Sequence, residues 1–121
     1  MALGGSRWAE RARRAGLRVA EEAFIDRGYR PDGTLVPRGQ PGALVTDPRA
    51  AAERAVRLVT EGTVLAASGE TVHVHAHTLC IHSDTPGAAA MAKAVREALT
   101  AAGARIAPLR DWFVERGRGG S

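Results

Sequence analysis

The run His82-Ser83-Asp84-Thr85 sets an imidazole and a carboxylate two residues apart. In extended chain, side chains two apart point the same way. His82 and Asp84 would then converge on one cleft, an arrangement suited to a metal ion or to general acid–base chemistry. The run follows Thr78-Leu79-Cys80-Ile81, a short segment apolar on both faces, and precedes Pro86. It therefore falls where a covered strand gives way to a helix, and in α/β sheets and barrels the carboxyl ends of strands carry the active site. A second reading has Asp84 or Thr85 capping the next helix with His82 packed against it. Spacing leaves both open.

Glu21-Glu22-Ala23-Phe24-Ile25-Asp26-Arg27 is a second candidate. It lies where a strand meets a glycine-rich loop, so Glu22 and Asp26 can face the same cleft as His82. By spacing alone, ordinary loop charge with a surface pairing of Asp26 and Arg27 is the favoured explanation. His73, His75 and His77 alternate with Val72, Val74 and Ala76. On one straight strand the three imidazoles would stand roughly 7 Å apart, too far to share one ion, so the pattern reads as a solvated strand face. Cys80 is the only cysteine. No internal disulfide can form, and its apolar surroundings favour a buried, inert thiol over a nucleophile. The chain has no P-loop, no Gly-x-Gly-x-x-Gly, no HExxH and no CxxC pair.

The elements that must position these residues alternate in type. Ser6 can cap a helix to Ala15, with Trp8, Ala12 and Ala15 on one face and Gly16 at its end. A strand-like piece runs from Leu17 to Phe24. Residues 28–42 form a loop rich in Gly and Pro, with a Pro31-Asp32-Gly33 turn. Asp47-Pro48 starts a helix that Gly62 ends. Its buried stripe is Ala52, Ala55, Val56 and Val59, with Glu53 and Arg57 paired outside. Thr63–Ala66 and Thr71–Val74 form a hairpin around 67–70. A helix after Thr85-Pro86 buries Ala88, Met91, Ala92, Val95, Leu99 and Ala102 and stops at Gly103. Arg105-Ile106-Ala107 reads as one more strand, and residues 115–121 as a disordered tail. This order predicts an α/β fold with parallel strands.

The chain has 121 residues, room for one domain. Apolar residues make up 45% and charged residues 25%, which excludes a disordered chain. No apolar run is long enough for a transmembrane helix, and the opening five residues do not form a signal peptide, so a cytoplasmic protein is expected. Net charge is +4, with the basic excess at the two ends: +4 over residues 1–18, −2 over 19–104 and +2 over 105–121. Without aromatics interleaved in a basic stripe, nucleic-acid binding is not expected. Aromatics are only 4%, against 24 alanines. So few large side chains raise the question of whether this is a complete folding unit.

Several stretches resemble one family. They are Glu22-Ala23-Phe24-Ile25-Asp26-Arg27-Gly28-Tyr29, Pro31-Asp32-Gly33-Thr34-Leu35-Val36-Pro37-Arg38, Pro41-Gly42-Ala43, and Cys80-Ile81-His82-Ser83-Asp84-Thr85 before a helix. In this order and spacing, nearly continuously from Gly16 to Gly103, they resemble the LamB/YcsF family. The resemblance implies a distorted (β/α) barrel of the glycoside hydrolase and deacetylase type. It implies the A subunit of an ATP-dependent 5-oxoprolinase, which opens the lactam of 5-oxoproline to L-glutamate. ATP with Mg is the implied cofactor, and subunits B and C are the implied partners. Glu22, Asp26, His82 and Asp84 are carried over as catalytic lining, and Arg27 and Arg38 as substrate-binding residues.

Two departures accompany the match. Family members are considerably longer, and the Asp-Leu-Asn-Cys-Asp-Leu-Gly-Glu and Cys-Gly-Phe-His-Ala-Gly-Asp type motifs of their N-terminal half are absent. Ser83 stands where the family has Gly. The chain is thus expected to be the C-terminal half of the barrel over residues 1–114 and to be inactive alone. Two other readings compete: a deacetylase-like hydrolase with a metal at His82 and Asp84, and a non-catalytic fragment that only binds the partner subunits.

Overall fold

The computed structural model describes residues 1–118. In chain order the elements are β1 (Ala2–Leu3), α1 (Arg7–Arg14), β2 (Glu21–Phe24), α2 (Pro48–Glu61), β3 (Thr63–Leu65), β4 (Thr71–His73), β5 (Thr78–Cys80), α3 (Ala88–Ala101) and α4 (Leu109–Arg118). Strands β1, β2 and β5 form a parallel sheet in that order, and β3 pairs antiparallel with β4 in a separate hairpin. The α/β class and the parallel strands agree with the sequence pattern.

Local chemistry sets most boundaries. The Ser6 hydroxyl accepts the Ala9 N–H and caps α1. The Asp47 carboxylate accepts from Arg49 N, Pro48 occupies the first turn of α2, and Gly62 closes it at φ +69. The hairpin turn is held by Ala66 N donating to Glu70 O. The core joins Ala23 and Ile25 of the β2 segment to Ala51, Ala55 and Leu58 of α2 and Met91, Val95 and Leu99 of α3. Alanines on α2 let the two helices approach closely. Burying each larger side chain contributes roughly 1.5–3 kcal/mol.

Several expected details are corrected. Trp8 is 76% exposed and Ala9 is the buried residue of α1, since this short polar helix rests on the sheet through a small side chain. The inward stripe of α2 is Ala51, Ala55 and Leu58, with Val59 exposed, because α3 lies one position round from the expected face. Arg57 pairs with Glu61 at 3.2 Å rather than with Glu53. On α3, Met91, Val95 and Leu99 are buried, while Ala92 and Ala102 are exposed. Strand pairing begins at Glu21, not Leu17, because β1 offers partners only from there. Residues 105–107 make no strand, and Ile106 is exposed. Of the expected tail, residues 115–118 belong to α4, and 119–121 lie outside the described residues.

The loop from β2 to α2 folds back on itself. Gly28 N donates to Ala43 O, and Val45 N to Asp26 O. A Cβ on Gly28 would sit 1.8 Å from the Gly42 carbonyl oxygen, so only glycine permits this approach. Tyr29 is fully buried and its hydroxyl accepts the Phe24 N–H.

Candidate functional site

Asp26 follows β2 and His82 follows β5, and these strands are parallel neighbours. Residues just beyond their carboxyl ends therefore meet. Asp26 is fully buried. Its carboxylate accepts the His82 backbone N–H at 2.8 Å, the His82 ring at Nδ1 at 2.9 Å, and the Thr85 hydroxyl at 2.6 Å. Burial alone would raise the Asp26 pKa. Hydrogen bonds from Thr85 and from the His82 ring and backbone outweigh that and hold it below the ordinary value.

An ionised carboxylate only accepts, so His82 Nδ1 carries the proton it donates to Asp26. In the neutral ring, Nε2 is then left as a base. The His82 side chain is 26% exposed, so the ring is held without being sealed away. Phe24 packs edge-on against it at 4.6 Å between centroids. The result is a partly open imidazole, fixed in tautomer and orientation by a buried acid, which is the arrangement general base catalysis requires.

Asp84 is placed elsewhere. Its side chain is 71% exposed and lies 3.9 Å from the Arg38 guanidinium, so His82 takes Asp26 rather than Asp84 as its carboxylate. The extended geometry expected for residues 82–84 gives way to a turn, in which Thr85 N donates to His82 O. Thr85 does not cap α3 either. Its hydroxyl is drawn to Asp26, and α3 starts behind Gly87 with no side-chain cap.

Glu22 sits half-buried on β2, on the same side as Phe24, opposite Thr78 in the register. Arg27 is buried, with Nε donating to Ala43 O and Nη2 to Val36 O, so its guanidinium fastens the 36–43 loop. Arg54, which carries no sequence signal, donates to Arg27 O at 2.8 Å and lies over the Tyr29 ring. Burial lowers its pKa, opposed by Tyr29 and Asp26. The Cys80 thiol is pushed up by burial, then by the nearby charges of Glu22 and Asp26, which favours the inert form.

The histidine pattern is also corrected. Strand β4 ends at His73, and the chain bends so that the Nε2 atoms of His75 and His77 lie 3.0 Å apart. With buried Glu21 they make a group whose ligand atoms fall within 4.8 Å of one another. The proton pattern nevertheless opposes a metal. His77 Nδ1 accepts the Glu21 N–H, which places the ring proton on Nε2, pointing at His75. A cation held through both Nε2 atoms would need His77 as an imidazolate. Glu21 is already held by Gly5 N and Arg13. Burial would raise its pKa, but the contacts with Gly5, Arg13 and His75 lower it on balance.

The profile of the LamB/YcsF family matches residues 1–114. This chain belongs to the LamB/YcsF family. It is 52% identical over 105 residues to the 5-oxoprolinase A subunit of Heliobacterium modesticaldum, covering 87% of this chain and 41% of that protein. It is 53% identical over 107 residues to the protein of the same name from Streptomyces avermitilis, covering 88% and 43%. Among solved structures it matches the lactam utilization protein from Thermus thermophilus with a TM-score of 0.79 and 52% identity. That match covers 86% of this chain and 41% of the other. The chain thus spans less than half the length of these LamB/YcsF relatives. No helix among the described residues is long and apolar enough to cross a membrane.

Proposed function

We propose that this chain is a portion of a 5-oxoprolinase A subunit: half of a distorted (β/α) barrel that hydrolyses the lactam of 5-oxo-L-proline to L-glutamate. The observation that carries the reading is the buried Asp26 fixing His82 with Nε2 available as a base. In this reading His82 takes a proton from the water that attacks the lactam carbonyl carbon. Asp26 stabilises the imidazolium that forms. As the ring C–N bond breaks, the departing nitrogen receives that proton from His82. Arg38, half-exposed at the rim, holds the substrate carboxylate. Asp84 lies at the same end of the sheet beside Arg38, Glu22 sits further back on β2 opposite Thr78, and Arg27 acts through the loop it fastens.

An unstrained amide is a poor electrophile, which is the chemical reason for coupling to ATP. The sequence has no P-loop and no Gly-x-Gly-x-x-Gly with which to cradle the phosphates of ATP. ATP binding is therefore assigned to other parts of an assembly with subunits B and C, in the cytoplasm. It follows that the chain alone is inactive. The test is glutamate formation from 5-oxoproline and ATP with subunits B and C. No product is expected without the remainder of the A subunit, and turnover by the chain with B and C alone would overturn this.

A further inference from the structure

Helix α2 sets the Arg54 cation inward without a counter-ion. Among the described residues no carboxylate forms an ion pair with it. Its Nε is buried and has no hydrogen-bond partner among them. Taking a charge out of water is costly unless something is gained in return. Local rules broken in this way gather at functional sites.

Two lines of contact run from Arg54 to His82. The first passes through the backbone beside Asp26. Asp26 O is met by Val45 N, and Gly28 O by Val36 N. Arg27 O, between them, is met instead by a side chain, since Arg54 Nη2 donates to it at 2.8 Å. Asp26, the residue before, holds both the His82 ring and the His82 backbone N–H. The second line passes through Tyr29. The Arg54 guanidinium carbon lies 5.9 Å from the centre of the Tyr29 ring. Beyond the Leu3–Glu22 pair β1 offers β2 no further partner, and the Tyr29 hydroxyl accepts the Phe24 N–H at 3.1 Å. The Phe24 ring in turn packs edge-on against His82.

We propose that Arg54 is a positioning residue for His82: its planar fork fixes Asp26 through the Arg27 carbonyl and Phe24 through the Tyr29 ring, the two contacts that hold the imidazole in one orientation. Arginine suits both tasks, because it donates in the plane and stacks by its face. This deepens and rests on the reading of His82 as the base. The readouts are spectroscopic, so its failure is distinct from failure of that reading, which a fully active His82→Gln enzyme would show.

The test is NMR on the 15N-labelled chain. Exchange of the His82 backbone N–H, taken relative to that of the core residue Val95, reads the bond to Asp26, and the ring 15N shifts read the tautomer. Arg54→Met should speed that relative exchange about tenfold and bring the ring nitrogens toward a mixture of tautomers. Arg54→Lys keeps the charge and a donor but loses the fork, so relative exchange about threefold faster is expected. Leu58→Val trims a core side chain of α2 outside both lines, and should lower the unfolding midpoint while leaving the His82 signals as in wild type. The proposal is overturned if Arg54→Met keeps the wild-type exchange and tautomer, or if Leu58→Val shifts them equally. Where Arg54→Met does not fold, Arg54→Lys carries the test, and wild-type exchange in it overturns the proposal.

Discussion

Replacing Asp26 by asparagine keeps the side-chain shape and removes one acceptor and the charge. Oδ2 accepts from His82 N and Thr85, and Oδ1 accepts the His82 ring. The His82 backbone N–H cannot reverse its role, so the Asn carbonyl must take the Oδ2 place. Its NH2 then faces His82 Nδ1 and forces the ring proton onto Nε2. The base needed for chemistry is lost through tautomer alone. Three charge-assisted bonds become neutral ones or are rearranged. At about 1 kcal/mol lost per bond the cost is about 3 kcal/mol, and burying a neutral group returns part of it, leaving about 2 kcal/mol. For a domain of this size that lowers Tm by about 6 °C.

The pH profile adds a check. A carboxyl whose folded pKa is depressed contributes stability that is present above its unfolded value. That stability is lost as pH falls through the lower folded value. Wild-type protein should therefore weaken below about pH 4, and Asp26→Asn should weaken less steeply there. Urea unfolding gives the stability, and long-range 1H–15N NMR gives the His82 tautomer. An Asp26→Asn protein that keeps the wild-type tautomer and midpoint would refute the reasoning.

Three further substitutions test the supports of the site. Thr85→Val removes the hydroxyl that holds Asp26 and should cost about 1–2 kcal/mol in urea unfolding, with Thr85→Ser restoring most of it. Gly28→Ala drives a Cβ into the Gly42 carbonyl and should cost more than about 3 kcal/mol or abolish folding, read as lost soluble yield and lowered Tm. Arg27→Ala strips the Ala43 and Val36 carbonyls of their donors. It should cost about 2–4 kcal/mol and speed proteolysis within residues 36–43.

Elements are legible in the sequence where a cap or a glycine marks them. Ser6, Asp47-Pro48, Gly62 and the 67–70 turn all act as their chemistry predicts. Faces are harder to read, because an alanine-rich helix offers several equivalent stripes and only the position of α3 chooses between them. At the site, the right residue types are visible but the pairing is not. His82 and Asp84 are two apart in sequence, whereas Asp26 is 56 residues from His82 and reaches it through strand register. Thr85 reads as a cap because its tertiary partner lies beyond another strand. The histidine spacing misleads because it assumes a straight strand that in fact ends at His73. Arg54 gives no signal, since a helix arginine in isolation reads as a solvated charge.

The most direct test of the central claim is a chimera in which residues 1–114 replace the matched part of the Thermus thermophilus protein, assayed for glutamate release from 5-oxoproline with ATP and the companion subunits. The unaltered chimera should turn over, and His82→Gln and Asp26→Asn should each lower kcat by about 100-fold or more, the usual contribution of a positioned general base. A His82→Gln chimera as active as its parent would contradict the account.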